Sequence, residues 1–393
     1  MTRLISLRVI LVLLLHCNVL FAILNPGQFM ELSSYWYFVL AICVGGIIYT
    51  RNNLMPKIQY EKYIFFCIIW QILVIPITFI VMGKVNMAYL LSFILFLSFF
   101  YVCLKLKLDD SEIRKILNSY IYSGVIVSIL LFTQPIPYGS GDIRFTLRLH
   151  EDSLLDPNYL AALLVFPAIL AFSKLLFNFS FKAIILWGTF FLIILIGLFL
   201  TGSRNAMISV AIGALFSFFQ YIRKGLNLKK LIFSFIMLYI VVLVVLHFLP
   251  EGTYSRLFLE SYHDDSNTKR ILDWKAGLDA FFQHPIFGYG FTSEFDAIKI
   301  STRKELVAHN TFIGLLIQFG ITGFLIYLVG LYHLIIDFSR NKELMLLGAT
   351  LATLLLALIV SAQVSVFFWF PIIAIVCIYN NMRRNNKQIK EYF

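Results

Sequence analysis

Apolar runs recur along this chain from end to end, separated by short polar segments. Each run is long enough to cross roughly 30 Å of hydrocarbon as an α-helix. The runs are solidly apolar and lack the alternation that a transmembrane β-barrel needs, so helices are favoured. The pattern predicts about twelve spans, near residues 6–24, 34–50, 63–82, 87–104, 116–133, 158–177, 182–200, 204–221, 231–249, 310–336, 344–362 and 366–381.

One long polar segment, residues 251–308, interrupts this pattern. Apolar residues recur within it at helical spacing, which predicts a helix lying along the membrane surface. The residues on that predicted face are Ile271, Trp274, Leu278 and Phe281 or Phe282. We therefore expect an all-α, polytopic integral membrane protein. Residues 1–393 would form a single membrane domain, with 251–308 as a large extracytoplasmic loop that contains short surface helices.

The distribution of basic residues predicts the orientation of the chain. Most of the 32 Lys and Arg residues fall in segments that share one side of the membrane, and the positive-inside rule then puts both termini in the cytoplasm. The net charge of +11 mainly reflects this bias and gives no further support for nucleic-acid binding. The cations on the outer side are exceptions to the rule and indicate an anionic ligand.

Arg204 begins a span directly after Gly202 and Ser203. Its guanidinium, together with the N–H groups at the start of the helix, is suited to an anion. An arginine at this depth also reaches lipid headgroups by extending along the helix. Both interpretations are open at this point.

Arg270 and His309 have similar pairs of interpretations. Arg270 lies one turn before Trp274, either as an ordinary interfacial cation or as a second guanidinium for a diphosphate. His309 stands at the outer start of a span, either as a polar boundary residue or as a general base near neutral pH.

Residues 156–158 (Asp-Pro-Asn) are typical of a helix start, with Asp156 at the cap. The five cysteines all lie in apolar spans, so no disulfide framework is indicated. Asp264 and Asp265 are interpreted as a solvated turn, because the sequence has no histidine or cysteine cluster at metal spacing.

Four motifs in order resemble the O-antigen ligase and polymerase superfamily of bacterial membrane glycosyltransferases. The first is Asp156-Pro157-Asn158-Tyr159-Leu160-Ala161, and the second is Thr201-Gly202-Ser203-Arg204. The third runs from Arg270-x3-Trp274 to Pro285-x2-Gly288-x-Gly290. The fourth is Ala308-His309-Asn310-Thr311-Phe312 followed by Gly320-Ile321-x-Gly323. Together they cover roughly residues 140–335.

The resemblance implies a donor glycan carried on undecaprenyl diphosphate. Arg204 and Arg270 would bind the diphosphate, and His309 would act on the attacking hydroxyl. Either Arg144 or Arg148 would add a third cation. The resemblance also makes substrate-binding candidates of the polar residues Asp156, Asn158 and Asn310.

Fixed cations can stabilise the negative charge of a diphosphate leaving group, so the reaction does not require a metal ion or a cofactor for that purpose. We therefore expect neither, and we expect direct displacement with inversion at the anomeric carbon. The expected location is the bacterial cytoplasmic membrane, among membrane lipids. A chain-length regulator and a flippase are the expected protein partners, and no nucleic acid is expected.

Three functions share these features. A polymerase would join lipid-linked repeat units of O-antigen, capsule or exopolysaccharide, and it is the one we favour. A ligase would move the finished glycan to lipid A core or another acceptor. A transporter of the lipid-linked sugar would carry ionisable groups and broken helices near the middle of the membrane, whereas the predicted spans here are nearly free of charge.

Overall fold

The computed structural model describes residues 2–24, 28–29, 32–33, 35–138, 144–150, 153–178, 180–223, 265–361, 363 and 365–393, with isolated positions 232, 239, 243 and 247. The described chain is almost entirely helical, which confirms the all-α membrane class. The predicted span at 231–249 and residues 251–264 of the long loop lie outside this description, apart from those isolated positions.

The helices, numbered along the described residues, are α1 (Thr2–Leu24), α2 (Tyr35–Thr50), α3 (Gln59–Met82), α4 (Met87–Leu106), α5 (Asp110–Thr133), α6 (Pro157–Phe177), α7 (Phe181–Leu200), α8 (Arg204–Ile222), α9 (Asp265–Gln283), α10 (Glu294–Thr302), α11 (Thr311–Arg340), α12 (Leu344–Ala357) and α13 (Val366–Asn385). Two 3₁₀ turns cover Arg51–Asn53 and Ile389–Tyr392. The strands are β1 (Gln28–Phe29), β2 (Leu32–Ser33), β3 (Ile136–Tyr138), β4 (Arg144–Thr146), β5 (Arg148–His150) and β6 (Ser153–Leu154).

The described residues contain 8 helices that are long and apolar enough to cross a membrane. Three shorter apolar stretches, Leu7–Ile23, Trp36–Thr50 and Leu344–Ala357, match further predicted spans. The predicted span 344–362 is too long, since its helix ends at Ala357.

Helix α6 lies at the centre of the bundle. In its most apolar window 89% of the residues are buried, and it packs against α5, α7, α8, α12 and α13. Its buried face consists largely of small and aliphatic residues, which pack closely against neighbouring helices. The helices around it keep apolar side chains on the outside, as expected for a lipid-facing surface.

Ion pairs and hydrogen bonds link the helices at the end where α3 begins and α4 ends. The Nζ atom of Lys105 lies 2.7 Å from Glu61 Oε2, and both side chains are buried. The Arg8 guanidinium lies 2.7 Å from Glu112 Oε2, and Lys387 pairs with Asp110. This end therefore gathers basic residues that the sequence assigns to one side of the membrane. We call it the basic end, and the other end the site end.

Helix α11 is broken at Gly320, and residues 284–293 of the long loop fill the break. The backbone at Gly320 has φ 61° and ψ −168°, a combination open only to glycine. The N–H of Tyr289 donates to Ile317 O at 2.9 Å, and that of Ile321 donates to Pro285 O at 2.8 Å. The loop thus satisfies backbone groups that a broken membrane helix would otherwise leave unpaired.

The glycines of this segment are required by close backbone contact. A Cβ atom at Gly320 would overlap the carbonyl of Ile286, and one at Gly288 would overlap the carbonyl of Ile317. The segment is also buried, with Tyr289 only 1% exposed.

We expect Gly320→Ala to lower the melting temperature of the purified protein far more than Gly83→Ala does. Both glycines have positive φ. The left-handed conformation of Gly83 costs alanine about 1–2 kcal/mol, and the conformation of Gly320 costs it more. A Cβ at Gly83 has nothing within 4 Å, whereas one at Gly320 meets the inserted loop. Thermal unfolding in lipid nanodiscs measures both. Equal shifts would mean that the loop does not occupy the break.

The loop before α6 contains small antiparallel pairs, β3 with β4 and β5 with β6. Helix α9 lies where a surface helix was predicted, and its predicted apolar residues fall within one sector of about 100°. Trp274 and Phe281, at one edge of that sector, pack on a small core around Ala276 and Ala280. Ile271, Leu278 and Phe282, toward the other edge, are exposed.

Candidate functional site

His309 lies between α10 and α11 in a left-handed backbone conformation, with φ 48°. An L-residue adopts this conformation at a cost of about 1–2 kcal/mol. The next residue, Asn310, caps α11 by accepting hydrogen bonds from Phe312 N at 2.9 Å and Ile313 N at 3.1 Å. The Thr311 hydroxyl donates to Val360 O at 2.7 Å. The histidine is therefore presented by a strained turn that is anchored on its C-terminal side.

Charged groups from two other motifs act electrostatically on the ring of His309. The ring is exposed at the surface, yet enough protein encloses it for the loss of water to lower its pKa below the ordinary value. Asp273 and Asp156 oppose that shift, and Arg270 and Lys269 reinforce it. The lowered pKa leaves the imidazole neutral near pH 7, as a proton acceptor requires.

Arg270 and Lys269 lie on α9, near enough for both cations to act electrostatically on the histidine. Arg270 is half-buried and Lys269 is exposed. Asp273, one turn further along α9, is only 3% exposed. Sequence reasoning did not identify Asp273, because nothing in the spacing of this acidic residue distinguishes it from solvated neighbours.

Arg204 is the first residue of α8, at the same end of the bundle. The preceding turn has Gly202 at φ 64°, and the Thr201 hydroxyl binds Leu198 O at 2.6 Å. Ser203 is buried and the arginine is half-buried. The tight turn thus puts an arginine at the first position of a helix, and a helix N-terminus favours an anion.

Asp156 caps α6, accepting a hydrogen bond from Asn158 N at 2.7 Å, so the helix-start interpretation is correct. Its carboxylate also acts electrostatically on His309. Asn158 is half-buried on the first turn of α6. Asn310 is 4% exposed, and its side-chain oxygen is occupied by the cap described above.

The two arginines before α6 differ in their surroundings. Arg144 lies on β4 opposite Tyr138, with its guanidinium 6.0 Å from the tyrosine ring centre, a cation–π distance. Arg148 lies on β5 and is exposed. Strand β4 contacts α6 and α7, so both arginines belong to the site end.

Glu294 is a further residue that sequence reasoning missed. It begins α10 and is 3% exposed. Burial raises its pKa to about 7, although hydrogen bonds from Gln363, Ser361 and the backbone of Ala308 favour the ionised form. Ser361 and Gln363 belong to the loop between α12 and α13, so this loop contacts Glu294. The same loop contacts α6, because the Tyr159 hydroxyl donates to Ser361 O at 2.9 Å.

The arrangement offers a neutral imidazole, cations nearby and a second arginine on a helix start. Within the described ranges, no three His, Cys, Asp or Glu side chains cluster at a spacing that would hold a metal ion. The groups present suit proton abstraction from a hydroxyl and stabilisation of a phosphate leaving group.

Comparison with known proteins gives a family match. A family model described as O-Antigen ligase matches residues 189–328, a range that contains Arg204, Arg270 and His309. No curated protein matches the chain. A solved structure described as "Structural coordination of polymerization and crosslinking by a peptidoglycan synthase complex" is similar at 15% identity and a TM-score of 0.40, covering 81% of this chain and 97% of that one.

Proposed function

We propose that this chain, of which residues 189–328 match a family model described as O-Antigen ligase, is a member of the O-antigen ligase and polymerase superfamily and polymerises glycan repeat units delivered on undecaprenyl diphosphate. The reaction takes place at the outer face of the bacterial cytoplasmic membrane, where the site end lies. Both termini and the basic end face the cytoplasm, as the positive-inside rule requires.

The observation that supports this function is the convergence of motifs on His309. Asp156 comes from the start of α6, Arg270 from α9 and His309 from the segment before α11, yet all three interact electrostatically. Asp156 precedes the other two by more than a hundred residues of sequence, and all three lie at one end of the bundle, where Arg204 begins α8.

In the proposed reaction, the oxygen of an acceptor hydroxyl attacks the anomeric carbon of the donor. A new carbon–oxygen bond forms while the bond from that carbon to the phosphate oxygen breaks. The hydroxyl proton passes to a ring nitrogen of His309. Undecaprenyl diphosphate leaves, and Arg204 and Arg270 bind its negative charge. Attack opposite to the leaving group inverts the anomeric configuration.

A ligase is the second candidate, because the matching family model carries that description. It would use the same donor and the same arginines but another acceptor. A transporter is less well supported, because the break in α11 is filled by the protein's own loop and is therefore not open to a substrate.

The test is reconstitution of the purified protein in nanodiscs with a labelled undecaprenyl-diphosphate repeat unit. We expect a ladder of longer glycans and one undecaprenyl diphosphate released for each bond formed, without any added acceptor. Release only when lipid A core is supplied would identify a ligase. Movement of intact donor across a vesicle bilayer, with no release, would identify a transporter.

Nuclear magnetic resonance of the new linkage tests the stereochemistry, and deletion of the gene tests the role in cells. Loss of a polymerase leaves single repeat units attached to the acceptor. Loss of a ligase leaves full-length chains on the lipid carrier. A linkage that keeps the anomeric configuration of the donor would contradict direct displacement.

A further inference from the structure

Glu294 is a buried carboxyl group that lies between three segments of the site end. One carboxylate oxygen accepts a hydrogen bond from Ser361 Oγ at 3.0 Å, and the other accepts one from Gln363 Nε2. The backbone N–H of Ala308 is a third donor. A Cβ at Gly314 would overlap both Glu294 and Gln363, so the first turn of α11 leaves room for this pair. The carboxylate is therefore enclosed by donors and almost closed to solvent.

These contacts bear directly on the backbone of His309. The strained left-handed conformation of His309 persists only if both sides of it are held. Asn310 holds the C-terminal side through its cap on α11. Glu294 acts on this turn in two ways. Its carboxylate accepts from Ser361 Oγ at 3.0 Å and so fixes the loop whose Val360 O accepts from Thr311, and the backbone of Ala308 lies close enough to act on the same carboxylate.

We propose that Glu294 is a positioning residue, which fixes the backbone before His309 and so aims the imidazole at the acceptor hydroxyl. This inference rests on the function proposed above. Glu294 does not itself reach the substrate, because only 3% of the residue is exposed and its oxygens are occupied by Ser361, Gln363 and Ala308.

The groups around Glu294 explain why an uncharged side chain that accepts hydrogen bonds should preserve activity at this position. Tyr89 on α4 and Tyr159 on α6 interact with it electrostatically, and Asp296 on its own helix acts on Tyr89. In the described part of the chain, no lysine or arginine forms an ion pair with Glu294. The residue therefore contributes hydrogen-bond acceptors to the site, and glutamine keeps one of them.

The test compares Glu294→Ala with Glu294→Gln in the reconstituted assay. We expect alanine to lower kcat about 10- to 100-fold, with KM for the lipid donor changed less than about threefold, because misplaced catalytic groups affect the chemical step. We expect glutamine to restore kcat to within about fivefold of wild type, since its oxygen still accepts from Ala308. The matched control is Glu305→Ala, which removes an exposed carboxylate paired with Lys299.

A second measurement does not depend on turnover. The rate at which diethyl pyrocarbonate modifies His309, followed by mass spectrometry as a function of pH, reports the pKa of that ring. In wild type the midpoint should lie below 6.5, and in Glu294→Ala it should rise toward 6.5 as the turn opens to water. This readout separates failure of the positioning role from failure of the proposed function.

Three outcomes overturn the proposal. One is wild-type kcat in Glu294→Ala, and another is an unchanged labelling profile in that variant. The third is a folded Glu294→Gln protein that is as inactive as the alanine variant, since Glu294 would then act through its charge or its proton. Folding of each variant is checked by its melting temperature and by its elution as a single species.

Discussion

Replacing Arg270 with alanine is expected to lower kcat for glycosyl transfer by about 100- to 1,000-fold, and Arg204→Ala should have an effect of the same size. Charge develops on the diphosphate as the glycosidic bond breaks, so each guanidinium binds the transition state more tightly than the ground state. Lysine at either position keeps the charge but loses the planar pair of donors. Arg270→Lys and Arg204→Lys should therefore fall between alanine and wild type.

Arg303→Ala is the matched control, because this arginine lies in the same long loop and is exposed at the end of α10. Its kcat should stay within about twofold of wild type, as surface charges contribute little. Initial rates of undecaprenyl diphosphate release, measured at saturating donor, give kcat directly. Full activity in both Arg204→Ala and Arg270→Ala would show that these arginines do not stabilise the diphosphate leaving group. This conclusion would hold whether or not His309 is required.

Helix positions in this chain were largely predictable, because hydrocarbon thickness sets the length of a membrane helix. The predicted span 158–177 corresponds to Pro157–Phe177, and 87–104 corresponds to Met87–Leu106. Asp156 was also readable as a cap from its position before a proline. The span 344–362 failed because its last residues are apolar but leave the helix to meet the site, where Val360 O accepts from Thr311.

The inserted loop and Glu294 were not predictable from sequence. Gly288, Gly290 and Gly320 indicate backbone freedom, but composition does not reveal that they let two distant segments pair. Glu294 looks like any exposed acid, such as Glu305, until Ser361, 67 residues away, is brought against it. Burial of this kind depends on tertiary contacts, and the local pattern of polar and apolar residues does not reveal those contacts.

His309→Ala is expected to lower kcat about 100- to 10,000-fold, which is the usual contribution of a general base. The pH profile should identify the group. The pKa of His309 is lowered, so the neutral imidazole is present at pH 7 and is lost as the pH falls through a value below 6.5. Activity should therefore decline as the pH falls below that value. The residual activity of His309→Gln should not show this decline.

Glu294 titrates at about 7, so the profile is measured in both wild type and Glu294→Gln. A decline in activity at low pH that both proteins show is assigned to His309. A decline near pH 7 that is present in wild type and absent in Glu294→Gln is assigned to Glu294. The control is His284→Gln, a half-buried histidine that packs edge-to-face against Tyr289 in the inserted loop. This variant should keep the decline in activity below pH 6.5. An acid limb that survives in His309→Gln would assign the base to another residue, and Asp273 beside the ring would be the first to replace.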